Sequence, residues 1–210
     1  MRINDVILTL GSLALIGAGA VLIAVFFLSP EASHGDFTSN EPQSFNVPIL
    51  EDTQAPPEEN KETETLSGPE DKTLWLTIPK MARIQSAAIP TGEGNDEAKL
   101  KDYAAIHLEG TGFPWEAGAN VYIAGHRLGY PNSESFLAFY DLDNLEKGDE
   151  ITVTDADGQA YTYRVSREFV ASPADLSVTE PVEGKDVLTL QTCTLPDYSQ
   201  RLVVQAEKVT

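Results

Sequence analysis

The sequence predicts an all-β sandwich or barrel carrying short helices over residues 74–210, and three observations carry that prediction. Short β-type runs recur with turn residues between them. No segment shows the apolar stripe of a long helix. Asp155-Ala-Asp-Gly158 supplies a good turn between two of the runs, so that residues 150–170 read as a hairpin.

In chain order, residues 1–5 carry Arg2 and the amino terminus, and residues 6–28 carry no charge at all. At about 1.5 Å per residue the uncharged run is long enough to cross a hydrocarbon core ~30 Å thick. Glu31, Asp36 and Glu41 follow it. The positive-inside tendency then keeps residues 1–5 in the cytoplasm and exports everything after Leu28. A cleavable signal peptide is the alternative, but the run is long for one and no clear A-x-A site follows it. The expectation is a single uncleaved transmembrane helix in the cell membrane with an extracellular C-terminal domain.

Residues 29–73 are rich in Glu, Pro, Ser and Thr, and the patch Phe45-Asn-Val-Pro-Ile-Leu50 holds most of their large apolar side chains. Such a composition buries too little apolar surface to offset its chain entropy, which predicts a disordered acidic linker. Within 74–210, strands are expected at 74–78, 83–89, 119–124, 149–154, 160–171, 187–192 and 201–208. Short helical turns are expected around 100–106 and 136–142. No second apolar anchor follows. The formal net charge is -19 and no stretch of sequence is a basic cluster, which argues against nucleic acid and anionic lipid headgroups as partners.

The chain has a single cysteine, Cys193, at the end of the run Val187-Leu-Thr-Leu-Gln-Thr-Cys193. An exported lone thiol has no intramolecular disulfide partner. His126 closes a second strand-like run, Asn120-Val-Tyr-Ile-Ala-Gly-His126, in which Gly125 leaves room for close approach, and Arg201 opens the run after Cys193. A thiolate attacks a carbonyl far better than a thiol does, an imidazole can supply the stabilising cation and the general acid, and a guanidinium can hold the developing oxyanion. A buried structural thiol, a hydrogen-bonded loop imidazole and a surface guanidinium are the alternative reading of the same three residues. His34 lies in the linker without defined surroundings, and a structural hydrogen bond is the expected fate of His107. Three histidines without a second Cys offer no zinc spacing, and no segment matches an EF-hand, so neither a metal nor a cofactor is expected.

These residues resemble a sortase, the membrane-anchored cysteine transpeptidase of Gram-positive surfaces. Thr189-Leu-Gln-Thr-Cys193 is similar to the T-L-x-T-C element, Ala124-Gly-His-Arg127 to A-G-H-R, and Arg201-Leu-Val-Val204 to the strand that delivers the family arginine. Phe139, Leu142, Leu145, Gly148, Asp149, Ile151 and Val153 fit F-x-x-L-x-x-L-x-x-G-D-x-I-x-V. The resemblance implies an eight-stranded sortase-type β-barrel. It also implies a thiolate and imidazolium pair of Cys193 and His126, oxyanion support from Arg201 and a groove shaped by Thr192. The implied reaction cleaves an LPxTG-like C-terminal sorting signal of exported proteins after Thr. A Cys193 thioester is then resolved by an amine of a cell-wall precursor or a pilin. The motifs and the N-terminal anchor are most similar to classes D and E. His107-Leu108-Glu109-Gly110-Thr111 departs from the H-Y-P-G-T of class E, which leaves the motif open between L-P-x-T-G and a relative. The run 128–135 is longer than usual for these groups and is read as a lengthened loop. Without a recognisable Asp-Pro-aromatic lid element, wall anchoring is expected ahead of pilus assembly. A non-catalytic membrane-tethered binding domain and a hydrolytic Cys peptidase of the same fold are the competing expectations.

Overall fold

The computed structural model describes residues 68–209. The expected anchor at 6–28 lies outside the described residues, as do His34, the Phe45 to Leu50 patch and the linker as far as residue 67. Part of the last six residues of the expected linker packs on the domain. A Cβ on Gly68 would collide with the Trp115 ring, Pro69 is buried, and the Lys72 ammonium lies 4.9 Å from the Trp115 ring centre.

The elements in order are β1 (Leu74–Thr77), β2 (Ala87–Ile89), β3 (Thr91–Gly92), α1 (Glu97–Asp102), β4 (Ile106–Leu108), β5 (Asn120–Ala124), β6 (Glu150–Thr154), β7 (Ala160–Ala171), β8 (Val187–Cys193) and β9 (Arg201–Lys208). Single 3-10 turns occupy Leu142–Asn144 and Leu176–Thr179. One sheet runs in the order β2-β1-β6-β7-β9-β8-β5-β4-β3. Its two edge strands are separated in sequence only by Pro90. Pro90 has no N–H to give to a ladder, yet its carbonyl accepts from His107 N at 2.9 Å. The chain therefore passes from one edge of the sheet directly to the other and closes it into a barrel. With β2 and β3 counted as one crossing strand, the barrel has the eight strands the resemblance implies.

Alternation along the strands puts Leu74, Leu76, Val121, Ile123, Ile151, Val153, Leu188, Leu190, Leu202 and Val204 into the interior. A second apolar cluster lies on the outer face, where Tyr122, Ala124, Cys193 and Val203 are covered by Leu100 of α1 and Val178 of the β7–β8 connector. Both faces of β5 and β8 are thus covered, which is why every residue of these strands is buried.

The hairpin of β6 and β7 forms as read from its turn, with Asp155 Oδ1 accepting from Asp157 N at 3.0 Å and Gln159 N at 2.9 Å. Other boundaries differ from expectation for local reasons. The strand expected at 83–89 is confined to Ala87–Ile89, because Ile78 N bonds Ile84 O at 2.8 Å and folds residues 78–84 into a tight loop. The helix begins earlier than expected, since the Asp96 side chain caps it by accepting from Lys99 N at 3.0 Å, and Ile106 belongs instead to β4, opposite Ala124. Strands as short as β3 and β4 carry too few residues to show any period.

Candidate active site

β5 and β8 pair in parallel, with Ala124 opposite Gln191, and Gly125 N continues the ladder to Gln191 O at 3.0 Å. Two positions further on, that register brings His126 level with Cys193. On the other side of β8 the antiparallel register places Arg201 directly opposite Cys193. Three adjacent strand ends thus deliver His126, Cys193 and Arg201 to one place, at 4%, 7% and 6% exposure. Gly125 is required there, because a Cβ would stand 2.9 Å from Ala104 O and 3.1 Å from Ala105 Cβ.

The segment after His126 is held along its length. Phe139 N bonds His126 O at 3.2 Å, Leu137 N bonds Leu128 O at 2.8 Å, and the buried Arg127 pairs with Asp143 at 2.5 Å. Gly129 has φ 62, and a Cβ there would strike Ser135 O. The long run 128–135 is more than a lengthened loop. Its Tyr130 sets a ring edge on the His126 imidazole, with centroids 5.5 Å apart, and the Tyr130 hydroxyl donates to Glu97 of α1 at 3.3 Å. Arg201 is steadied by donation from Nη1 to the carbonyls of Tyr198 at 3.2 Å and Gln200 at 3.3 Å, inside the β8–β9 turn.

Burial governs the charges. It pushes the Cys193 thiol above its ordinary value, with only partial opposition from the Arg201 guanidinium, and it pulls His126 down to about 4. Burial thus favours the neutral thiol and the neutral imidazole, and it works against the thiolate and imidazolium pair that the resemblance implies.

Thr192, expected to shape the substrate groove, alternates with Cys193 and faces the interior side with Leu188 and Leu190. It is fully buried and its hydroxyl has no hydrogen-bond partner among the described residues, and its side chain lies on the opposite face of the strand from Cys193. The residue that shares the face of Cys193 is Gln191. Its Oε1 accepts from the Tyr122 hydroxyl, its Nε2 has no partner among the described residues, and it is 1% exposed. Alternation by two from Cys193 was the available sequence signal for it. His107 has the structural fate expected, with Thr91 Oγ1 at 3.1 Å from Nδ1 and Gly112 O at 3.0 Å from Nε2. Burial pulls it down to about 4. Among the described residues no group of His, Cys, Asp and Glu side chains is arranged to hold a metal.

The sequence pattern of the Sortase domain family matches residues 76–209. The chain belongs to the sortase family. Sortase A of Bacillus anthracis is 35% identical over 135 residues, covering 64% of this chain and 58% of that protein. Sortase A of Streptococcus agalactiae serotype III (strain NEM316) is 33% identical over 91 residues, 43% of this chain and 36% of that protein. The chain therefore spans less than two thirds of the length of these curated relatives. Among solved structures, sortase C1 from Streptococcus agalactiae superposes with a TM-score of 0.56 at 33% identity, covering 67% of this chain and 69% of that one. Sortase A from Corynebacterium diphtheriae gives 0.55 at 29% identity, covering 69% and 63%. The nearly closed barrel of this sortase matches theirs.

Proposed function

We propose that this sortase is a membrane-anchored cysteine transpeptidase of the class D or E type. It cleaves an LPxTG-like C-terminal sorting signal of exported proteins after Thr and joins the Thr to an amine of the cell wall or of a pilin. One observation carries the reading: the registers of β5, β8 and β9 set His126, Cys193 and Arg201 level on adjacent strand ends. Membership of the sortase family supports it, and so does likeness to a Streptococcus pneumoniae sortase C, a structure reported to bear on pilin substrate specificity.

In this reading the Cys193 proton passes to His126, Sγ bonds to the Thr carbonyl carbon, and the oxyanion forms within reach of Arg201. The amide C–N bond then breaks, and the leaving amine takes the proton from His126. The acceptor amine attacks the thioester, gives a proton to His126 and forms the new amide as the C–S bond breaks. Thr192 supports the nucleophile from the interior side. Residues 6–28 anchor the chain, with the catalytic domain outside, so that enzyme and substrate meet at one membrane face. Membrane fractionation of the full chain against a variant lacking 6–28 checks the anchor.

The deciding experiment incubates the full chain with sorting peptides and follows mass and products. Wild type should gain an acyl adduct on Cys193 and, with an added amine, yield ligated product. Cys193→Ala should lose both, by more than about a thousandfold in rate, while keeping its fold. Cleavage retained by Cys193→Ala would sink the mechanism. Release of acid alone, whatever glycine or diamino acid is added, would make the protein a hydrolytic peptidase instead.

A further inference from the structure

The basic clustering that the linear sequence lacks is assembled by the fold. Five of the chain's 14 Lys and Arg residues, Lys147, Arg164, Arg167, Lys185 and Lys208, line one cavity of about 690 Å³. The cavity lies along β7 and β9 and reaches β8 at Val187, at the opposite end of that strand from Cys193. At about 3.3 Å per residue the two ends are ~20 Å apart, so the site is separate from the proposed reaction and does not depend on it.

Neighbouring carboxylates, of which Glu207 alone lines the cavity, leave part of this charge unmatched. Glu150 pairs with Arg164 at 2.9 Å, Glu207 pairs with Lys185 at 2.6 Å, and Asp186 lies 4.0 Å from Lys208. Lys208 also donates to Pro114 O at 2.7 Å. Among the described residues, Lys147 and Arg167 have no carboxylate within ion-pair distance.

Arg167 is also built into place. A register shift between Val165 and Arg167 re-aims the β7 side chains at the cavity. Arg167 Nε donates to Gln205 Oε1 at 2.8 Å, Gln205 Nε2 to Thr189 Oγ1 at 3.1 Å, and Thr189 Oγ1 to Asn120 Oδ1 at 2.7 Å. Asn120 in turn donates to Val178 O at 3.0 Å and Glu180 O at 2.9 Å. Asn120, Thr189 and Gln205 are at least 95% buried, whereas Arg167 itself is exposed. Burying a polar relay is costly unless every member is satisfied. A tie between β5 and the connector is complete at Thr189. Its continuation through Gln205 orients one solvent-facing guanidinium, which also lies 4.7 Å over the Phe169 ring.

We propose that this cavity binds a phosphate-bearing anion, with Arg167 and Lys147 as its principal contacts. Two unmatched cations suit a dianion. A phosphate's three acceptor oxygens serve both a guanidinium fork and an ammonium, which a single carboxylate does not. The volume admits a phosphate together with an organic headgroup. The phosphate can come from a free phosphoanion or from a lipid headgroup.

The test is isothermal titration of the full chain in detergent at low salt. The probes are inorganic pyrophosphate, a short-chain phosphatidylglycerol below its micelle concentration, and acetate at matched ionic strength. Saturable binding is expected for at least one phosphate probe and not for acetate. Binding by pyrophosphate alone assigns a free anion, and binding by the lipid assigns a headgroup. Arg167→Lys and Lys147→Gln should each weaken it about tenfold and leave Cys193 alkylation and the melting temperature near wild type. Cys193→Ala should bind normally. The proposal is overturned by the absence of saturable binding to either phosphate probe, by binding equal to that of acetate, or by affinities unchanged in both variants.

Discussion

The two ends of the β8–β9 ladder share one backbone geometry and have opposite electrostatics. At one end Cys193 faces Arg201, and at the other Val187 faces Glu207. The Cys193 end is covered by α1, the connector and the 128–135 run. Its titrating groups are few and buried, and desolvation drives them toward neutrality. The Val187 end is open, and its charges are numerous and half-exposed, so water screens each pair. The strands fix which residues meet, while the cover over them fixes what those residues can do. Charge placed under the cover is expensive and chemically consequential; charge outside it is cheap and suited to recognition.

The largest expected effect that tests this contrast is at Arg201. Removing its charge with Arg201→Gln takes away the influence that, among the described residues, holds the Cys193 thiol down. Peptide turnover should fall by about 10²-fold or more, and the alkylation profile of Cys193 should move to higher pH. An unchanged profile would show that the two residues do not share the buried environment their register gives them.

Stability should respond next. His107 and His126 are both pulled from 6.5 to about 4 by burial, so the unfolded chain binds protons that the folded one refuses. Stability is then full above about pH 6.5 and is lost as pH falls toward 4, by at most on the order of 3 kcal/mol per histidine. Urea midpoints measured from pH 7 to pH 4 should fall accordingly, and His107→Asn should remove about half of the slope. A flat midpoint would mean that both imidazoles reach water.

A smaller effect is expected at Gln191, the buried amide on the face of Cys193. Gln191→Leu removes an amide donor that has no partner among the described residues, but it also takes the acceptor from the buried Tyr122 hydroxyl, so stability should fall by about 1–2 kcal/mol. If that donor serves the bound peptide, KM should rise several-fold with kcat little changed, measured by steady-state peptide cleavage. The smallest change belongs to the open end. Glu150→Gln breaks an ion pair whose side chains are 53% and 59% exposed, and the melting temperature should move by about a degree or two.

What was legible in the sequence was local. Asp155 and Gly158 announced the β6–β7 hairpin because a turn is specified by the residues in it. The Cys193, His126 and Arg201 elements stood out because each sits at the end of a strand-like run. The groove role that the resemblance gives Thr192 rests on its place beside Cys193 in sequence, whereas a strand sends consecutive side chains to opposite faces. Gln191 was overlooked for the same reason.

By itself, then, the sequence determined the family and the all-β class, and it singled out Cys193, His126 and Arg201 as candidates, since each rests on residue types at short spacing. Only the tertiary structure decided that β2 and β3 close the barrel through Pro90, and that the parallel pairing of β5 with β8 sets His126 level with Cys193. It also gathered basic residues from separate segments around one cavity in a chain of net charge -19. Pairing between distant segments and desolvation both depend on what the whole chain places around a residue, and no local window of sequence contains that sum.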